Sequence, residues 1–133
     1  MDFNINNVKL AFCVKDGNKC NFDRIMEYPI RAYLKGKQIG EMLVQMSALT
    51  ENNVRDDDNS IYVHSFGIDE KYRHKGIGRK MLRFVKDYYK TKNIYLGVEK
   101  SNTVACNFYE KEGFEIVEDC VYYYSMVIHK NVL

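Results

Sequence analysis

Apolar and polar positions alternate with a period of two in several short runs of this chain, and in two places the period lengthens to that of a helix. Val8, Leu10, Phe12 and Val14 share one face of a run that predicts a first strand. Asp16-Gly17-Asn18 marks a turn. Cys20 to Met26 has weak periodicity and predicts a short helix or a turn. Tyr28 to Leu34 predicts a second strand, with Ile30, Ala32 and Leu34 on one face and Pro29 expected near its start or at a sheet edge. Lys35-Gly36-Lys37 is a hairpin turn, and Met42, Val44 and Met46 alternate along a third strand. Thr50 to Ser60 is a polar loop. Its Asp56, Asp57 and Asp58 are read either as a solvated connection or as charges that draw in a cationic amine.

Ile61 to Ile68 predicts a fourth strand. Strict alternation puts Tyr62, His64, Phe66 and Ile68 on one face and Ile61, Val63 and Ser65 on the other, while Gly67 signals a bulge or a close backbone approach. From Gly76 to about Lys92 the spacing of Ile77, Met81, Phe84, Val85 and Tyr88 predicts a helix. Asn93 to Glu99 is a fifth strand. Ser101 and Asn102 are N-cap residues for a second helix that runs to about Glu112, with Gly113 as its C′ residue. Phe114 to Glu118 and Cys120 to His129 are the last two strands. Alternation of strand and helix after residue 60 predicts a mixed sheet with a helix on each side.

Length adds that this is one domain, residues 1–133. A hydrophobic fraction of 46% with 29% charged residues reads as a globular protein. A net charge of +2 does not mark a nucleic-acid partner. No apolar stretch reaches membrane-spanning length and Met1-Asp2-Phe3-Asn4 opens no signal-peptide pattern, so no membrane partner and a cytoplasmic location are expected. Cys13, Cys20, Cys106 and Cys120 form no C-x-x-C pair and no cluster with zinc-ligand spacing. No metal is expected, and the thiols read as reduced apolar residues.

The candidate chemistry lies at Tyr72-Arg73-His74-Lys75-Gly76-Ile77-Gly78-Arg79-Lys80, between the fourth strand and the first helix. Gly76 and Gly78 leave the helix N-terminus bare, so unpaired amides and the positive end of the helix dipole face outward. Arg73, Lys75, Arg79 and Lys80 add positive charge, which suits a pyrophosphate. Neither G-x-x-x-x-G-K-[ST] nor G-x-G-x-x-G occurs, which argues against a nucleotide-binding regulator.

Arg73-x-x-Gly76-x-Gly78 resembles the R/Q-x-x-G-x-G/A signature of the GNAT superfamily of acetyl-CoA-dependent N-acetyltransferases. Asn102, Ala105, Phe108-Tyr109-Glu110-Lys111 and Gly113-Phe114 resemble a second block of that family. The likeness covers residues 60 to 128 by motif and the N-terminal half by pattern. It implies an α/β (α+β) fold, with a mixed, mostly antiparallel seven-stranded sheet, a splayed strand pair and helices on both faces. The N-terminal helical region is shortened here. It implies acetyl-CoA as co-substrate, with the amides of Lys75, Gly76, Ile77, Gly78 and Arg79 on the phosphates, Arg73 and Lys80 assisting, and His74 exposed beside them. Backbone groups of Phe66 and Ile68 would bond the pantetheine arm, and the N–H of Ile68 would meet the oxyanion. Tyr109 would serve the leaving thiolate, a phenol near 10 facing a thiol near 8.5. Asn102 is either a cofactor contact or a helix cap. His64 and Glu99 are the candidate bases. The expected activity is acetyl transfer to a primary amine of a small molecule or protein, the alternative being a non-catalytic acyl-CoA-binding module. A homodimer is allowed through the tyrosine-rich last strand.

Overall fold

The computed structural model describes residues 10–20, 25–46, 48–49, 54–55 and 59–130. Its strands are β1 (Leu10–Val14), β2 (Asn18–Cys20), β3 (Ile25–Leu34), β4 (Lys37–Gln45), β5 (Ala48–Leu49), β6 (Val54–Arg55), β7 (Ser60–Ile68), β8 (Asn93–Glu99), β9 (Glu115–Asp119) and β10 (Tyr123–Ile128). The helices are α1 (Ile77–Tyr88) and α2 (Thr103–Lys111). One sheet runs β1-β3-β4-β7-β8-β10-β9, with β2 added beside β3, and β5 pairs with β6 apart from it. Every neighbouring pair in the main sheet is antiparallel except β7 and β8. The mixed, mostly antiparallel sheet of seven strands expected from the family resemblance is present, with β2 as an eighth. Val8, the middle of the Cys20 to Met26 segment and Asp56, Asp57 and Asp58 lie outside the described residues.

Local chemistry accounts for most boundaries. Lys35 and Gly36 both have positive φ (50° and 81°), the geometry of a two-residue hairpin between β3 and β4. The α1 helix buries Ile77, Met81, Leu82 and Val85 on one stripe and ends at Tyr88, four residues before the expected Lys92. Beyond it the buried ring of Tyr89 and the bonds Lys90 N–H to Asp87 O and Lys92 N–H to Tyr89 O turn the chain back toward β8. The Asn102 Oδ1 caps α2 by accepting from Ala105 N–H at 3.0 Å. At the other end Gly113 takes φ 97°. Gly113 N–H reaches Glu110 O and Phe114 N–H reaches Tyr109 O, the two bonds that close a Schellman motif.

Pro29 is neither at the start nor at an edge. It lies in the middle of β3, an interior strand. Its carbonyl accepts from Lys15 N–H at 2.8 Å, so its nitrogen faces the same side, between the partners β1 and β2, and its missing donor removes no bond to β4. The last strand begins at Tyr123, not Cys120, because Cys120 to Tyr123 closes the turn with Cys120 N–H on Tyr123 O. It runs between β8 and β9, so it is no free edge for a second copy, and among the described residues the edge strands of this sheet are β1, β2 and β9.

The departure from simple alternation that bears on the site is in β7. Leu43 opposes His64 and Glu41 opposes Gly67, so Ser65 and Phe66 together face the single residue Met42. This bulge, with Ser65 at φ 52°, shifts the parity of everything after it. Phe66 and Ile68 therefore join Ile61 and Val63 against the core, while Tyr62 and His64 stay on the opposite face. The expected common face for Tyr62, His64, Phe66 and Ile68 is broken by one extra residue. Pairing of β7 with β8 runs from Ser60↔Asn93 to Val63↔Leu96 and stops there, which leaves a fork between the strand ends.

Both helices lie on the same face, a correction to the expected placement on both. The core joins Ile77, Met81, Leu82 and Val85 of α1 with Ala105, Cys106, Phe108 and Tyr109 of α2, over Ile61, Val63, Ile94, Leu96, Val98 and Met126 of the sheet. The reason is that both helices flank β8, whose Ile94, Leu96 and Val98 are its apolar side. Among the described residues no helix is long and apolar enough to cross a membrane.

Candidate active site

The chain leaves β7 at Ile68 and is anchored at once by Asp69 N–H on Ile39 O at 2.7 Å. Strand alternation then turns the N–H and C=O of Ile68 to the other side, toward the fork with β8. Arg73, five residues on, returns to that carbonyl and donates from Nε at 2.8 Å. Between them lies a single 3₁₀ turn, Glu70–Tyr72. His74 at φ 63° and Gly76 at φ 83° then bend the chain into α1.

The two glycines have different tasks. Gly76 is the N-cap of α1 in the left-handed region, and nothing stands within 4 Å of where its Cβ would be. It supplies conformation and an open approach to the amides behind it. Gly78 faces the strand, where a Cβ would meet Phe66 Cζ at 3.6 Å and Ile68 Cγ1 at 4.0 Å. It lets helix and strand come close. A cavity of about 490 Å³ opens here, lined by Ile68, Tyr72, Arg73, His74, Gly76, Ile77, Gly78, Arg79 and Phe108.

Seven of the residues singled out by sequence thus line one cavity: Ile68, Arg73, His74, Gly76, Ile77, Gly78 and Arg79. Phe66 lies beneath Gly78. Lys75, Lys80, Asn102 and Tyr109 are not among the lining residues. Tyr72 and Phe108 line the cavity as well; both fall within the two motif stretches, but sequence reasoning assigned neither a role in the site. Arg79 and Arg83 approach the buried carboxylate of Glu112 at 4.0 and 3.3 Å, and Lys86 Nζ donates to Glu112 O at 2.7 Å. These contacts tie the C-terminal end of α2 to α1 and hold Phe108 against the cavity.

Tyr109 packs edge-on against Phe108 and Phe114, with ring centroids 5.3 and 5.7 Å apart. Burial pushes its phenol up to about 12. That removes the match to a thiol near 8.5 on which a proton-donor role depended. A neutral phenol still donates a hydrogen bond.

His64 lies on the other face of the sheet and is half-buried. Its Nε2 is 2.9 Å from Glu27 Oε2 and its Nδ1 is 3.0 Å from Ser65 Oγ. Gln45 Nε2 is 3.4 Å from the same Glu27 oxygen, and Tyr62 stacks on the imidazole at 5.9 Å. Glu99 is exposed at the end of β8. Its side chain belongs to the same face as His64, since Ile94, Leu96 and Val98 take the core side. At the fork, a Cβ on Gly97 would stand 3.1 Å from the Tyr62 hydroxyl. No group of His, Cys, Asp and Glu among the described residues is arranged to hold a metal.

Residues 27–114 match the family model described as the acetyltransferase (GNAT) family. The chain is 28% identical over 107 residues to the spermine/spermidine N(1)-acetyltransferase of Bacillus subtilis (strain 168), covering 77% of this chain and 66% of that one. It is 41% identical over 71 residues to N-alpha-acetyltransferase 50 of Danio rerio, covering 50% and 42%. The PaiA N-acetyltransferase of Thermoplasma acidophilum, solved in complex with coenzyme A, superposes with a TM-score of 0.64 at 22% identity, covering 79% of this chain and 61% of that one. At that identity the likeness bears on the fold alone. The matched chain spans just under two thirds of the first curated relative and less of the second.

Proposed function

From a chain that belongs to the acetyltransferase (GNAT) family, we infer an enzyme that transfers the acetyl group of acetyl-CoA to a primary amine. The observation that carries this reading is the left-handed, unobstructed Gly76 at the start of α1, opening on a cavity of about 490 Å³ beside the fork of β7 and β8. A pyrophosphate fits that place, because a Cβ would meet nothing there and the helix end offers amides and positive charge. The named relatives are acetyltransferases, which supports catalysis over a binding module without turnover.

Acetyl-CoA supplies the activated thioester, and the chain's own groups do the rest. The amides of Lys75 to Arg79 hold the phosphates, with Arg73 and Lys80 adding charge. Phe66 and Ile68 offer backbone groups to the pantetheine amides along the unpaired end of β7. The Ile68 N–H faces the fork and serves the thioester oxygen as it gains charge. Tyr109, held neutral by burial, donates a hydrogen bond to the departing sulfur and keeps its proton. His64 and Glu99 stand on the far face of the sheet, where the amine approaches. Asn102 is committed through Oδ1 to capping α2, and its amide nitrogen is its remaining contribution to the cofactor.

The acceptor is a small-molecule amine, as named for the polyamine enzyme, or a peptide amine, as named for the N-alpha enzyme. A cytoplasmic location belongs to the same reading. Self-association belongs to it too, through β1 or β9 in place of the last strand.

The test is calorimetric titration with acetyl-CoA, followed by detection of free CoA thiol on adding spermidine or a short peptide with a free N-terminus. Binding in the micromolar range and amine-dependent thiol release are expected. Failure to bind acetyl-CoA sinks the reading.

A further inference from the structure

We propose that Ser65, His64 and Glu27 form a proton relay at the β7 bulge that neutralises the incoming ammonium. The proposal rests on the acetyl-transfer reading and names residues within that site. Its basis is the placement of three groups in a line. Ser65 Oγ lies 3.0 Å from His64 Nδ1, and His64 Nε2 lies 2.9 Å from Glu27 Oε2. Glu27 and His64 come from strands 37 residues apart in sequence, and their side chains are only 19% and 29% exposed. The far end of the line is an exposed hydroxyl, and the near end is a sheltered carboxylate.

The backbone explains why the hydroxyl is where it is. Ser65 is the extra residue of the bulge, at φ 52°, a conformation that serine adopts at a cost. Regular pairing of β7 with β8 has ended two residues earlier, at Val63. Ser65 therefore stands at the fork, upstream of Ile68 on the same strand, where a thioester held by the phosphate loop would end. Tyr62 stacks on the imidazole at 5.9 Å and fixes its plane. Gln45 shares the Glu27 carboxylate and fixes it in turn.

The proton inventory closes. Glu27 holds the neutral imidazole with its proton on Nε2, which leaves the Nδ1 lone pair toward Ser65. The Ser65 hydroxyl takes a proton from R–NH₃⁺ and passes its own to Nδ1. The free amine then attacks, and a second proton moves from its nitrogen to the CoA sulfur as the C–S bond breaks. The imidazolium, paired with Glu27, returns its proton to solvent. Ser65 touches the amine, His64 stores the proton, and Glu27 is a positioning residue. The other titratable and charged groups on this face of the neighbouring strands are Tyr62, Tyr95, Glu99, the mutually bonded Arg31 and Glu41, and Tyr33 beside Arg31.

The experiment uses the full chain labelled with ¹⁵N-histidine, with His64→Gln to assign the ring among the three histidines. Neutral His64 is expected with its proton on Nε2, with or without acetyl-CoA. A proton on Nδ1 overturns the relay, whatever the fate of the acetyl-transfer reading. That reading falls separately, by failure of acetyl-CoA to bind. In turnover with spermidine or a short peptide, His64→Gln should lower kcat/KM for the amine about 100-fold near pH 7. The loss should shrink as pH rises and the amine deprotonates unaided. Ser65→Gly, which keeps the positive φ and removes the hydroxyl, should lose about 10-fold with the same trend. Glu27→Gln, which still accepts from Nε2, should lose less than Glu27→Ala. A loss that does not change with pH overturns the relay, and absence of turnover with both amines leaves the tautomer to decide.

Discussion

On the helix side of the sheet, Ile61, Val63, Ile94, Leu96 and Met126 are buried under α1 and α2, and the candidate cofactor cavity is made of backbone and glycine at one helix end. On the other side β3, β4 and β7 present Glu27, Gln45, Tyr62 and His64, hydrogen-bonded or stacked on one another across three strands. The first region uses local conformation to offer amides. The second uses tertiary register to bring side chains together. The fork between β7 and β8 connects them, because pairing stops where the bulge turns Phe66 and Ile68 toward the helices.

The comparison breaks most severely at Gly76. Gly76→Asp puts a Cβ at φ 83° and a carboxylate where phosphate is expected. Acetyl-CoA binding should weaken at least about 100-fold, roughly 2.7 kcal/mol, by calorimetry. Gly76→Ala separates strain from charge: it should cost about 1 kcal/mol of stability and much less binding. A folded Gly76→Asp chain that binds as the unaltered protein does would put the cofactor elsewhere.

Tyr109→Phe tests whether the helix side contributes chemistry as well as binding. It should lower kcat about 10- to 100-fold, the worth of a hydrogen bond to a charged atom, with KM for acetyl-CoA unchanged. Alkaline stability reports the same burial. Tyr109 and Tyr89 each titrate near 12 when folded, Tyr109 by burial and Tyr89 by burial first and nearby tyrosines second, against about 10 when unfolded. Below pH 10 both states keep these protons and stability is flat. Between about 10 and 12 only the unfolded chain gives them up, so stability falls as pH rises. Circular-dichroism melts across that range should show the fall, and Tyr109→Phe should reduce it to the share that Tyr89 contributes.

The smallest effect expected is at Asn102. Loss of the cap in Asn102→Ala should cost about 1 kcal/mol in denaturant unfolding. If acetyl-CoA affinity falls while stability holds, Asn102 is a cofactor contact rather than a cap.

The helix-side region was almost wholly legible in the sequence. Arg73, Gly76 and Gly78 lie within six residues, and Ile77, Met81 and Val85 announce the helix by spacing alone. Asn102 and Gly113 cap α2 as their residue types predict. Far less of the opposite face could be read. Glu27 has no spacing that points to His64, and Ser65 looks like an ordinary polar position in an alternating strand. Tyr72 and Phe108 were assigned no role because an aromatic within such a stretch looks like core.

By itself, then, the sequence determined what short-range physics controls: the glycine whose φ only glycine accepts cheaply, the helix that follows it, the caps, the hairpin turn and the alternation of each strand. Tertiary structure decided the rest. One inserted residue in β7 reversed the faces of Phe66 and Ile68, since side-chain direction has a period of two and a bulge shifts it by one. Placement of both helices on one side of the sheet followed from which side of β8 was apolar once its neighbours were in place. The meeting of Glu27, His64 and Ser65 depended on the register of β3, β4 and β7, which no segment of the chain carries alone.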